Sequence, residues 1–242
     1  MCFTVSVFAQ THVIETDTGA LFDAPEEYQP YYHVSGFVHP HLPVITNDRP
    51  DALQMFEWGL IPRWTKNAEA AEEISQLTLN ARSETIFDKP SFRDAIVKRR
   101  ALLPVTGFVE WQHEDKLKLP HLITIGAFDG NHPPPVYTLG CIWEEWADKE
   151  SGEVRRTFSI VTTQANTLMS FIHNNKQRMP VVIPKGDRMA WLQADDREHA
   201  TRLMRPLEDG ILKAYPISRT MSRIKVNTDD PSLLNPIGEA FV

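Results

Sequence analysis

The chain has 242 residues, 42% of them hydrophobic and 24% charged, and its 25 basic residues against 32 acidic ones give a net charge of −7. These values sit near the averages for soluble globular proteins and allow a sizeable core. They exclude a protein coated in basic surface for duplex DNA but leave room for a local basic groove.

Two cysteines, Cys2 and Cys141, provide no disulfide framework and fit a reducing cytoplasm. The start of the sequence lacks the basic-then-apolar pattern of a signal peptide, and no apolar run approaches the length needed to span a bilayer. Eighteen prolines argue for short elements and many loops.

In chain order, residues 2–9 are apolar with polar interruptions at Thr4 and Ser6, which predicts a strand beginning at the second residue. A polar, Tyr-rich turn region covers 25–33. Short strands follow at 33–37 and 42–46, broken by Pro40 and Pro43, and another at 54–60. Ile61-Pro62-Arg63-Trp64 is a loop that sets a cation beside an aromatic ring. A short acidic helix spans 68–76, and a second helix spans 91–100 with Ser91 as its cap. The triplet Lys98-Arg99-Arg100 suits the end of that helix as dipole compensation on a solvated surface, with a phosphate contact as the alternative. Residues 101–111 read as one buried strand, 119–126 and 135–142 as a strand pair across the loop 127–134, and 155–163 as a further strand. A short amphipathic helix at 165–172 leads directly into His173. A strand at 179–183, helices at 187–193 and 196–204, a strand at 213–218 and a Pro-punctuated tail from Val226 complete the chain. With no repeat and no linker, the expected architecture is one α+β domain over 1–242.

Four segments stand out chemically. Met1-Cys2 has a small second residue, so removal of Met1 would leave an N-terminal cysteine, a 1,2-aminothiol. Its amine can condense with an aldehyde, and its thiol can close on the same carbon to give a thiazolidine ring. The alternative is an ordinary second residue. In Gly107-Phe108-Val109-Glu110-Trp111 a carboxylate lies among apolar neighbours. Either it is desolvated and its pKa rises toward a range useful for proton transfer, or strand alternation turns it outward. His173, at a helix end that favours a cationic imidazole, is a proton shuttle or a capping residue. In Asn80-Ala81-Arg82-Ser83-Glu84, Asn80 can donate to an oxygen and Arg82 can grip a phosphate, unless Arg82 is spent in a salt-bridged turn with Glu84 or another acid. Trp58 reads as core. Trp64, beside Arg63, is the better stacking platform for a single strand. Cys141 reads as a small buried hydrophobe. The nine histidines, His12, His39, His41 and His132 among them, lack paired metal-ligand spacing. There is no Gly-rich phosphate loop and no nucleophile elbow, so neither metal nor cofactor is expected.

The order and spacing of these segments resemble the SOS response-associated peptidase family, the abasic-site processing proteins. The resemblance runs from Met1-Cys2 through N-A-R-S-E at 80–84, G-F-V-E-W at 107–111 and a His ahead of R-M-P at 178–180, to Pro216-Ile217-Ser218 and Val226-Asn227. Trp58-Gly59 ahead of Pro62 and Trp64 fits the same pattern. It implies a single α+β domain whose bent, barrel-like mixed β-sheet is flanked by short helices, with a groove for single-stranded DNA. It further implies a thiazolidine crosslink between Cys2 and abasic sites, a lyase-type activity, and self-removal of Met1 by Cys2 and Glu110. Glu110 and His173 would move protons, Asn80 would hold the sugar or the Cys2 amine, and Arg82, Trp64 and Arg178 would line the DNA groove. The protein would act as a cytoplasmic monomer. Two departures are plain. Phe3-Thr4 stands where the family carries Gly-Arg, which removes a cation beside the site, and three extra residues separate His173 from Arg178-Met179-Pro180. A thiol hydrolase using Cys2, His173 and Glu110, and a non-catalytic binding module with Cys2 and His173 far apart, are the competing readings.

Overall fold

The computed structural model describes residues 2–128, 134–222 and 230–242. Met1, most of the loop expected over 127–134 with His132, and the end motif Val226-Asn227 lie outside the described residues.

The strands are β1 (Thr4–Val7), β2 (Leu21–Phe22), β3 (Tyr31–Ser35), β4 (His41–Thr46), β5 (Arg49–Trp58), β6 (Asn80–Arg82), β7 (Arg100–Val105), β8 (Gly107–Glu114), β9 (Leu117–Ile125), β10 (Tyr137–Ala147), β11 (Val154–Gln164), β12 (Arg178–Pro180), β13 (Val182–Ile183) and β14 (Leu212–Pro216). The helices are α1 (Thr11–Thr18), α2 (Ala68–Leu77), α3 (Arg93–Lys98), α4 (Thr167–Ile172), α5 (Arg188–Leu192) and α6 (Arg197–Leu203). The fold is α+β, as the sequence implied.

Strands β11, β10, β7, β4 and β5 are joined in that order, and a parallel pairing of β5 with β11 (Glu57 to Thr157, Trp58 to Phe158) closes them into a barrel-like ring. Ring closure removes the open edges that would otherwise need covering. A second sheet runs β14-β9-β8-β1-β3. The two share one continuous stretch of chain, because β7 passes into β8 through Thr106, whose hydroxyl and backbone N–H both donate to the Ser6 carbonyl at 2.9 Å. The stretch 101–111 is therefore two strands in different sheets, where the sequence suggested one.

One core cluster joins Phe56, Trp58, Phe158, Trp191, Phe108 and Cys2. A second holds Val109, Leu122, Tyr215, Ile217, Leu233 and Leu234. Each large side chain so buried stabilises the fold by roughly 1.5–3 kcal/mol. The clusters take alternate residues of β8, Phe108 in the first and Val109 in the second, so both faces of its first half, from Gly107 to Glu110, are buried.

Several other expectations are corrected. The strands at 119–126 and 135–142 do not pair: β9 joins β8 and β14, whereas β10 joins β7, β11 and β13. Helix α3 starts at Arg93 after Phe92, without a side-chain cap from Ser91. Pro43 lies within β4 rather than breaking it. Of the basic triplet only Lys98 is solvated. Arg99 is buried against Glu144 at 2.6 Å, and Arg100 is buried and donates to the Ile96 and Val97 carbonyls that end α3. Helix α1 carries no amphipathic signal strong enough to stand out in the sequence. Among the described residues, no helix is long and apolar enough to cross a membrane.

Candidate active site

Cys2 leads directly into β1, which lies between β3 and β8 in the second sheet. Flanked on both sides, the start of the chain is held in the sheet rather than frayed. Gly36 N–H bonds to the Phe3 carbonyl at 2.8 Å, and the Cys2 thiol lies fully buried, 3.7 Å from the Thr4 carbonyl. Burial first, and the neighbouring Glu110 second, push that thiol well above its ordinary range.

Asn80 reaches the same place from β6, which pairs in parallel with β11. The turn ahead of it is fastened by fully buried Trp58, whose indole N–H donates to the Leu79 carbonyl at 2.8 Å. Gly59 makes this junction possible: its φ is +133°, and a Cβ there would sit 2.6 Å from His39 Nδ1. The Asn80 amide donates to the Cys2 carbonyl at 2.9 Å. Its Oδ1 is buried and has no hydrogen-bond partner among the described residues.

Glu110 is 3% exposed. Alternation does turn it away from Val109, but the face it shares with Phe108 is the main core rather than solvent. Burial raises its carboxyl to about 8. His173 ends α4, a helix capped by Asn166 Oδ1 accepting from Met169 N–H at 3.0 Å and anchored by buried Leu168, Met169 and Ile172. The imidazole Nδ1 lies 2.9 Å from the Arg178 carbonyl. A carbonyl only accepts, so Nδ1 carries the proton and Nε2 keeps its lone pair. Nε2 faces Glu110 Oε2 at 3.9 Å. Burial lowers His173 to about 4, so the cationic imidazole expected at a helix end is replaced by a neutral one. At neutral pH the pair is a protonated carboxyl facing a neutral imidazole, an acid and a base rather than an ion pair.

Both side chains line an open cleft of about 380 Å³, together with Phe3, Trp111, His113, Lys118, Asn175 and Lys176. Sequence reading missed the lysines. The signal was the turn at Asp115, whose φ is +53°: folding the chain there places Lys118 directly opposite His113.

The candidate DNA contacts are more dispersed. Trp64 is 55% exposed, with its indole N–H 3.3 Å from the Pro90 carbonyl, and its neighbour Arg63 is committed to Glu144 at 2.6 Å. Arg82 is exposed on β6. Glu84 is indeed salt-bridged, but to Arg178 rather than Arg82, and Arg178 also donates to the Thr162 carbonyl at 2.8 Å. Arg178 thus props the strand whose carbonyl orients His173. Cys141 is fully buried, in keeping with a small core residue.

A sequence model described as SOS response associated peptidase (SRAP) matches residues 1–224. The abasic site processing protein YoqW of Bacillus subtilis is 30% identical over 234 residues, covering 95% of this chain and 98% of its own. The abasic site processing protein HMCES of Gallus gallus is 29% identical over 203 residues, covering 76% of this chain and 57% of its own. A crystal structure of a protein from Bacteroides thetaiotaomicron superposes with a TM-score of 0.88 at 36% identity, over 97% of this chain and 99% of that one. A Bordetella bronchiseptica protein shares the fold with a TM-score of 0.73 at 20% identity, over 90% of this chain and all of that one. With a family match over nearly its whole length and a relative of this similarity, the chain belongs to the SOS response associated peptidase family.

Proposed function

We propose that this protein processes abasic sites in single-stranded DNA by a covalent crosslink through Cys2, after loss of Met1. The family and the names of its relatives support abasic-site processing. The thiazolidine chemistry is argued from the site. The observation that carries it is the convergence of four distant segments: Asn80 on the Cys2 carbonyl at 2.9 Å, and Glu110 facing His173 at 3.9 Å beside them.

In the unprocessed chain the Cys2 nitrogen is an amide and cannot attack an aldehyde. Hydrolysis of the Met1–Cys2 bond consumes one water and releases methionine and a free amine. Glu110 and His173 are suited to move the protons of that step in cis. The amine nitrogen then attacks C1 of the ring-opened sugar, and water leaves as the imine forms. The thiol sulfur adds to the same carbon, and its proton passes to nitrogen. One water is lost overall, and nothing is oxidised or reduced. Glu110, protonated at neutral pH, supplies a proton to the departing oxygen, and His173 Nε2 accepts one. Asn80 Oδ1, buried and lacking a partner among the described residues, suits the new amine as its acceptor. The raised thiol pKa is compatible with this order, because sulfur attacks an already activated imine carbon. It argues against a general thiol hydrolase, which needs a thiolate from the start. In this reading the protein works as a cytoplasmic monomer without a cofactor, with Arg82, Trp64 and Arg178 along the strand's path.

The test is intact mass after mixing with an abasic oligonucleotide. The expected product is the chain without Met1, plus the oligonucleotide, minus one water. Absence of any adduct with the wild-type protein sinks the proposal.

A further inference from the structure

We infer that Lys118 and Lys176 form a two-lysine clamp for a backbone phosphate next to the reacting sugar. This rests on the abasic-site reading above and adds to it a phosphate-binding site in the same cleft. Lys118 lies on β9 directly opposite His113 of β8. Lys176 lies in the turn between His173 and Arg178. That turn is held by backbone and side-chain hydrogen bonds. Gln177 N–H bonds to the His173 carbonyl at 2.8 Å, and the Asn174 side chain clips the backbone of His113 twice, accepting from its N–H at 3.0 Å and donating to its carbonyl at 2.9 Å. The clip ties the loop that carries Lys176 to the strand that faces Lys118.

Both lysines line the cleft, both are exposed, and among the described residues neither forms an ion pair. Among the described residues, no acid lines this cleft besides the buried Glu110. A paired cationic rim in a chain of net charge −7 marks a place where an anion is held. Phe3 also lines the cleft, in a tilted contact with Phe37 at 4.9 Å between centroids, and brings aromatic surface but no charge. Among the described residues the lysines of this cleft are Lys118 and Lys176, and Lys176 is one of the residues that lengthen the stretch between His173 and Arg178.

The test separates binding from chemistry. Reversible binding is measured on a single-stranded oligonucleotide carrying tetrahydrofuran, which has no aldehyde, across a salt series. Crosslinking is measured separately on a true abasic oligonucleotide. K118Q/K176Q should lower the slope of log affinity against log salt by about 1.4, the release expected for two phosphate-neutralising charges on a single strand. K118R/K176R should restore it. A slope unchanged by the double Gln variant overturns the clamp even if crosslinking is intact. Lysine-dependent binding without any wild-type crosslink supports the clamp and overturns the covalent reading. A wild-type protein that does not bind the oligonucleotide at all overturns the clamp too.

Discussion

His173 Nε2 faces Glu110 Oε2 across 3.9 Å, and burial leaves both groups uncharged at neutral pH. The Arg178 carbonyl fixes which imidazole nitrogen takes part. An acid that holds its proton beside a base that lacks one is a working pair between about pH 4 and about pH 8.

Replacing either member should therefore slow the chemistry more than binding. Glu110→Gln and His173→Gln should each reduce the crosslinking rate by roughly 10²–10⁴. Affinity for a tetrahydrofuran oligonucleotide should change little. Rate constants from quenched gels and affinities from anisotropy check this. Parallel losses of affinity would point to a structural role instead.

The same pair makes stability depend on pH with a definite sign. Glu110 is raised to about 8 from 4.5, so between these values the folded state holds a proton that the unfolded chain has lost, and stability falls as pH rises. His173 is lowered from 6.5 to about 4, so between those values the unfolded chain holds the extra proton and stability rises with pH. The two trends oppose each other from 4.5 to 6.5. From 6.5 to about 8 only the Glu110 decline remains. Urea unfolding should show lower stability at pH 8.5 than at pH 6.5, by an amount on the order of a few kcal/mol at most. Glu110→Gln should flatten that decline.

Cys2→Ala, prepared with Met1 removed and checked by intact mass, keeps the amine and removes the sulfur. It should still form an imine with an abasic oligonucleotide, trapped by borohydride, but no adduct that survives without reduction. Denaturing gels with and without reductant distinguish the two. A stable unreduced adduct in Cys2→Ala would remove the thiazolidine from the mechanism.

Asn80→Leu deletes the donor to the Cys2 carbonyl and leaves that buried oxygen without its partner. The expected cost is about 1–3 kcal/mol in urea unfolding. Crosslinking should slow even where the variant is fully folded, because the start of the chain is no longer held.

Glu144 receives both Arg63 and Arg99 at 2.6 Å and is nearly fully buried. Glu144→Ala strands the buried Arg99 charge and should destabilise the protein by roughly 3–5 kcal/mol. Arg63, more than half exposed, should matter little in the same assay.

The sequence by itself supplied the residues of the proposed chemistry, Cys2 among them, and much of the scaffold. Local patterning was enough for the acidic helix α2, whose cap Asn67 accepts from Ala70 N–H, for the amphipathic helix before His173 and for the core role of Trp58. What it could not decide was which face of a strand is wet. Alternation at Glu110 is the same whether the second face meets water or another core, and only the packing of both clusters on β8 made it dry. The protonation states followed from that burial, which no local pattern carries. The meeting of residues 2, 80, 110 and 173, and of Lys118 with Lys176, depends on parallel and antiparallel pairings between segments far apart in the chain. Those pairings are chosen by the whole fold, because each buries surface that only its distant partner can cover.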